Sequence, residues 1–262
     1  MVNLLNKTIS MNRPLIFVTN DDSIDSDGIK KLISIAQQIG DVFVVAPDSP
    51  KSGKSHAISL DSTITLDLIK KQKGLTIYTC SGMPVDCVKL GLDELVDRKP
   101  DLLLSGINHG SNAATNIIYS GTMAGALEGA MHQIPSIGFS LLDIDPNADF
   151  EPCTNYVHSI INTVLEKKEL VCLNVNIPVL EEEKIKGIKM CSQSMAYWKE
   201  HFETFTDEQG KLTYQMRGTF INLEQNKDSD QWALDRDYIS VVPVNFDFTD
   251  YKMLDKLKNW KL

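Results

Sequence analysis

The sequence predicts a three-layer α/β fold on a mostly parallel sheet, with a β-rich extension at its C-terminal end. Three observations predict it. Apolar runs over residues 15–18, 41–46, 101–105, 135–142 and 171–177 stop at turn or polar residues, as strands buried on both faces do. Segments with helical spacing of apolar residues lie between them. From about Lys189 the chain changes character, and Tyr197, Trp198, Phe202, Phe205, Tyr214, Trp232 and Tyr238 sit among strand-like stretches. A chain of 262 residues is long enough to bury a full core, and 42% hydrophobic with 23% charged residues is ordinary for a soluble globular protein.

Taken in order, residues 1–13 lack the apolar core of a signal peptide, and Met11 offers a second start. The first strand ends in Thr19, Asn20, Asp21 and Asp22, where open α/β sheets place their ligands. Adjacent carboxylates repel, so the pair needs a reason. A solvated turn with a helix N-cap is one; a divalent cation held by hard oxygen ligands is the other. Residues 28–39 put Ile29, Leu32, Ile33, Ala36 and Ile39 on one helix face, with Asp25, Ser26 and Asp27 available as caps and Gly40 as the stop. The strand over residues 41–46 completes a right-handed β-α-β unit.

A polar loop over residues 49–56 then leaves the same sheet edge. Residues 57–67 alternate and, with 75–79, predict an antiparallel excursion around a Lys-rich turn at 70–74. Pro84 opens a helix reaching about Val96. After the strand at 101–105 a long loop begins with Gly106, Ile107, Asn108 and His109, carries Asn112, and closes at Tyr119-Ser120-Gly121-Thr122. A helix rich in Ala and Gly follows over 123–131, then a strand at 135–142, a helix at 155–166 and a strand at 171–177. Residues 237–248 read as one or two strands, with Pro243 at an edge or bend, and 253–260 as a short helix.

The formal charge of −9 argues against a nucleic-acid polymer as partner, since phosphate backbones are bound through basic surface. A small phosphorylated ligand stays compatible, because one metal ion reverses the local field. Cysteines at 80, 87, 153, 172 and 191 are odd in number and form no C-x-x-C, a pattern of reduced thiols in a cytoplasmic protein. No stretch approaches the ~18 apolar residues of a membrane span.

Four loops supply oxygen at one sheet edge: Asp21 and Asp22, Ser52, Asn108 and Asn112, and Ser120 with Thr122. Carboxylates, amides and hydroxyls suit Mg²⁺ or Mn²⁺ and poorly suit a structural zinc. The histidines at 56, 109, 132, 158 and 201 show no H-E-x-x-H spacing, although His56 and His109 lie in these loops. Ser120-Gly121-Thr122 opens a helix whose N–H groups attract anions, or is a plain N-cap. Gly53-Lys54-Ser55 imitates the tail of a P-loop, but Asp48 stands where the first glycine belongs and a strand-like segment follows. No G-x-S-x-G elbow supports a serine hydrolase.

The blocks Thr19-Asn20-Asp21-Asp22, Val44-Val45-Ala46-Pro47-Asp48 with Ser52, Gly53, Ser55 and His56, Pro84-x-Asp86-Cys87-Val88, Pro100-Asp101 with Ser105-Gly106-Ile107-Asn108, and Tyr119-Ser120-Gly121-Thr122 with Glu128-Gly129 occur in that order within residues 14–142. Together they resemble the SurE family, and a weaker likeness continues over residues 173–178 and 238–243. The resemblance implies a Rossmann-like catalytic domain over residues 14–188. It also implies an extension over residues 189–262 that exchanges strands to build a homodimer or homotetramer. The implied activity is a metal-dependent 5′/3′-nucleotidase acting on nucleoside monophosphates, with one divalent cation, Mg²⁺ or Mn²⁺, per subunit. Carried over by position, Asp21, Asp22, Ser52 and Asn108 would ligate the metal. Asn112, Ser120, Gly121 and Thr122 would face the phosphate, and Asp21 or Asp22 would accept the proton of the attacking water.

Three departures bear on rate and substrate preference. Ser23 stands where the family usually has Gly, Met83 replaces a Thr, and Ala114-Thr115-Asn116 replaces a commonly acidic stretch. A non-catalytic nucleotide- and metal-binding protein of the same fold is the rival reading.

Overall fold

The computed structural model describes residues 13–224 and 226–260. The expected lead-in therefore lies, apart from Arg13, outside the described residues. Strand β1 (Leu15–Thr19) is buried from Ile16 onward. Helix α1 (Asp27–Ile39) returns the chain to β2 (Asp41–Pro47), parallel to β1. A hairpin of β3 (Leu66–Gln72) and β4 (Leu75–Cys80) follows, with β4 parallel to β2. Helix α2 (Pro84–Leu90) runs into a π-helical turn, Gly91–Leu95. Next come β5 (Leu102–His109), a 3₁₀ turn (Ala114–Tyr119), α3 (Gly121–Met131) and β6 (Ser136–Leu141). Helix α4 (Thr154–Lys167) and β7 (Cys172–Ile177) complete the parallel part. The remainder holds β8 (Ile188–Met190), β9 (Tyr197–Thr206), β10 (Leu212–Ile221), α5 (Asp230–Leu234), β11 (Ile239–Pro243) and α6 (Tyr251–Leu257).

The main sheet has the order β3-β4-β2-β1-β5-β6-β7-β11-β8, and β9 with β10 forms a separate antiparallel pair. From β4 to β7 every pairing is parallel. One face packs against α1 and α4 through Ile16, Val18, Leu32, Leu104, Val157 and Ile161. On the other face α2 packs through Cys87 and Val88, and α3 through Met123 and Ala126. This is the three-layer architecture expected. Close approach explains the small residues of α3: a Cβ at Gly125 would lie 2.9 Å from Thr19 Cγ2, and one at Gly129 2.5 Å from Ser136 Oγ.

Two local expectations change. The strand expected over residues 57–67 begins only at Leu66, and the turn falls at Lys73-Gly74, where Gly74 takes φ +77°. Lys70 and Lys71 belong to β3 itself, an exposed edge strand where charge blocks further pairing. β5 outlasts its apolar run, bulging between Ser105 and Asn108 and continuing through His109. Asn108 and His109 therefore stand on the end of a strand and are held more firmly than a loop would hold them. Beyond residue 188 the chain re-enters the main sheet: β11 pairs antiparallel with β7, and Ile239 and Val241 join its core.

Candidate active site at the β1–β5 switch point

The chain leaves β1 toward β2 on one side and reaches β5 on the other, so a crevice opens at the C-terminal ends of β1 and β5. Such switch points are where open α/β sheets bind ligands. A cleft of about 570 Å³ lies there, within the range of small-molecule sites, and is lined by Asp21, Ser52, Asn108, Asn112 and Ser120 among others.

Asp21 is buried at the end of β1. Thr122 Oγ1 donates to its Oδ1 at 2.5 Å, and the Thr122 backbone N–H also points to the carboxylate. Burial, then the neighbouring Asp22 charge, raises its carboxyl to about 6 despite those donors. Asp22 accepts the His109 N–H at 3.0 Å on Oδ2 and, at the outer limit of a hydrogen bond, the Ser52 hydroxyl at 3.5 Å on Oδ1. Burial raises its carboxyl too, and the His109 N–H opposes the shift. The turn after β1 is fixed by Asn20, whose Nδ2 donates to Ser23 O at 2.8 Å and Ser26 Oγ at 3.0 Å. Ser26 is the N-cap of α1, but its hydroxyl serves Asn20 and makes no cap bond.

Asn108 donates from Nδ2 to His109 O at 3.1 Å and Gly110 O at 2.8 Å, leaving Oδ1 to accept from, or ligate, something else. Asn112 is held by neighbours on β6 and β7. Its N–H donates to Asn176 Oδ1 and its Nδ2 to Ser140 Oγ, both at 2.8 Å, while Asn174 Nδ2 donates to Asn112 O at 2.8 Å. Ser120 caps α3 by accepting from Met123 N at 2.9 Å. Thr122 is fully buried with its hydroxyl committed to Asp21. Gly121 abuts the same carboxylate: a Cβ there would lie 2.8 Å from Asp21 Oδ2.

The structure thus brings together Asp21, Asp22, Ser52, Asn108, Asn112, Ser120 and Gly121. Thr122 turns instead toward Asp21. The donor set fits a divalent cation. Asp21 is buried and Asp22 half-buried; the Asp22 charge raises the proton affinity of Asp21, and a cation between them would reverse that. Among the described residues no three His, Cys, Asp or Glu side chains gather as ligands. Two carboxylates, an amide oxygen and a hydroxyl match a hard cation that keeps several waters.

Sequence reasoning gave no role to the supports around this set, although His56 and Glu128 stand in its motif blocks. Glu128, nearly fully buried on α3, takes Lys89 Nζ at 2.6 Å and His56 Nε2 and His132 Nε2 at 3.1 Å each. Burial alone would raise its carboxyl; the bonds from His56 and Lys89 outweigh it and hold it at about 2. His56 thereby ties the loop carrying Ser52 to α3. Asp230 accepts from Ala114 N at 2.8 Å and Ser194 N at 2.9 Å, joining the C-terminal segment to the loop after β5. A further signal was Asn174 and Asn176, two amides spaced by two in an otherwise apolar strand.

Fold and site together define a Rossmann-like α/β protein whose switch point carries an oxygen-rich, doubly acidic cleft. The chain belongs to the SurE family: the model of that family, described as Survival protein SurE, matches residues 16–200. It is 51% identical over 255 residues to the 5′-nucleotidase SurE of Flavobacterium psychrophilum, covering 96% of this chain and 99% of that one. The 5′-nucleotidase SurE of Christiangramia forsetii is 49% identical, over 97% of this chain and 99% of the other. A crystal structure of the SurE protein from Aquifex aeolicus superposes with a TM-score of 0.80 at 36% identity, covering 94% of this chain and 98% of that chain.

Proposed function

We propose that this protein is a metal-dependent phosphomonoesterase that hydrolyses nucleoside 5′- and 3′-monophosphates to nucleoside and phosphate. The observation that carries the reading is the Asp21–Asp22 pair, a buried and a half-buried carboxylate beside the free Oδ1 of Asn108 in a cleft at the switch point. Asp21, Asp22, Ser52 and Asn108 would hold one Mg²⁺ or Mn²⁺. When bound, such an ion polarises a phosphoryl oxygen and lowers the pKa of a bound water.

The chain's own groups do the rest. Water attacks phosphorus, the P–O bond to the ribose oxygen breaks, and the alkoxide takes up a proton as phosphate departs. Asp21 or Asp22 accepts the proton lost by the attacking water. Ser120 and the Gly121 N–H, at the start of α3, face the phosphate. Asn112 does so as well: the Ser140 hydroxyl both donates and accepts, so the amide can turn its NH₂ outward and keep its bond. Residues 14–188 form the catalytic unit in this reading. The extension over 189–262 builds a homodimer or homotetramer through the β9–β10 hairpin, whose Phe202, Phe205, Tyr214 and Met216 are exposed. Five buried free thiols support a cytoplasmic setting, and no helix among the described residues is long and apolar enough to cross a membrane.

The test is phosphate release from a panel of nucleoside monophosphates and from polyphosphate, with Mg²⁺ or Mn²⁺ and then with EDTA. Metal-stimulated release abolished by EDTA is expected. Nucleotide binding without release from any substrate would convert the protein to a binding module.

A further inference from the structure

The same cleft has a second wall that the phosphate chemistry does not use. Trp198, Phe220, Tyr119 and Ile144 line it together with Asp21 and Asn108. Ile144 is 84% and Tyr119 60% exposed, unusual for large apolar groups inside a crevice unless something covers them. Trp198 is the most firmly held of the four. Its cross-strand partner on the hairpin is Phe220, and the rings meet edge-on at 5.5 Å and 61°. Its indole N–H donates to Asn116 Oδ1 at 2.8 Å, fixing the ring against the 3₁₀ turn of the cleft. Thr115 anchors the same turn to the hairpin's lead-in, its hydroxyl donating to Ala196 O at 2.7 Å. Trp198 still remains 44% exposed. An aromatic ring pinned at its polar edge but open to solvent is built as a stacking surface.

The polar edge of Trp198 is already spent. Trp198 has used its single donor, and Asn116 gives its Nδ2 to Ser111 O at 3.2 Å. Trp198 therefore offers a base no hydrogen bond, only its flat π-face.

We infer that Trp198 is the nucleobase platform of the site: phosphate at the Asp21 end of the cleft, base stacked at the Trp198 end. This rests on the phosphomonoesterase reading and extends it to the part of the substrate that does not react. Larger bases cover more of the ring, so purines gain more from Trp198 than pyrimidines do.

The experiment compares adenosine 5′-monophosphate, uridine 5′-monophosphate and base-free ribose 5-phosphate in the wild type, Trp198→Ala and Trp198→Phe. Trp198→Ala should lower the ratio of kcat/KM for the adenine nucleotide over ribose 5-phosphate by roughly tenfold, through KM. The loss for the uracil nucleotide should be smaller, and Trp198→Phe should recover most of both. Fluorescence supplies a readout independent of turnover. The adenine nucleotide should quench wild-type emission and ribose 5-phosphate should not, and the quench should vanish in Trp198→Phe, which keeps the other two tryptophans. An unchanged ratio, or an equal loss on the base-free substrate, overturns the platform. If the wild type releases no phosphate at all, the phosphatase reading fails by itself; the platform then stands on Trp198-dependent quenching and falls without it.

Discussion

Thr122 Oγ1 donates to Asp21 Oδ1 at 2.5 Å across 101 positions of sequence, and joins the first turn of α3 to the end of β1. The bond fixes which carboxylate oxygen stays free to face the cleft. It also explains why Thr122, expected to face the phosphate, is fully buried.

Thr122→Val keeps the shape and removes the donor. The Mg²⁺ or Mn²⁺ concentration giving half-maximal phosphate release should rise about 10- to 100-fold, the usual effect of losing a partner behind a metal ligand. Thr122→Ser should restore it. A metal titration unchanged in Thr122→Val would remove the threonine from the site's support.

Asp22→Asn retains the volume and the acceptor for the His109 N–H but loses the charge. Metal-dependent turnover should disappear while circular dichroism and the melting temperature stay close to wild type, because relief of Asp21–Asp22 repulsion offsets the weaker hydrogen bond. Full activity in this variant would sink the metal assignment.

Ser23 adopts φ +89°, in the left-handed region that favours glycine. This is where the resemblance leads one to expect glycine, so the chain holds a strained serine next to the proposed metal ligands. Ser23→Gly should raise stability by about 0.5–1 kcal/mol, the relieved strain exceeding the added freedom of the unfolded chain. Urea unfolding measures it directly; a lower midpoint would show that the serine makes a compensating contact.

Much of this was legible in the sequence for a physical reason. A parallel strand buried on both faces needs an unbroken apolar run, so residues 15–18 and 102–104 announce themselves, and the polar residues at strand ends mark the ligand edge. The hairpin was harder. β3 lies at the sheet edge with Lys70 and Lys71 exposed, so no core demanded an apolar pattern there. The site's supports were hidden because they are long-range. Asn176 meets Asn112 over 64 positions and His56 meets Glu128 over 72, and no local spacing encodes either contact.

Gly121 leaves no room for a side chain, since a Cβ would lie 2.7 Å from Asp21 Cβ. Gly121→Ala should push the carboxylate or the start of α3 aside. A cost of about 1–3 kcal/mol in stability is expected, with a larger proportional loss of kcat than of fold. Wild-type kcat would mean that α3 shifts without moving Asp21.

Glu128 is held at about 2 against an ordinary value of 4.5, so its ion pairs contribute stability that is present above the unfolded value and lost as pH falls from about 4.5 toward 2. Lys89 and His56 are part-exposed, so the net contribution is discounted to roughly 1–2 kcal/mol. Glu128→Gln should lower the urea midpoint at pH 7, and the gap from wild type should close below pH 4.5. Parallel curves down to pH 2.5 would show that the carboxylate adds nothing in its charged form. The same variant frees His56, and with it the loop that carries Ser52, so its metal requirement should rise at neutral pH. A loss of stability without that rise would leave Glu128 a core ion pair with no part in positioning the proposed metal ligands.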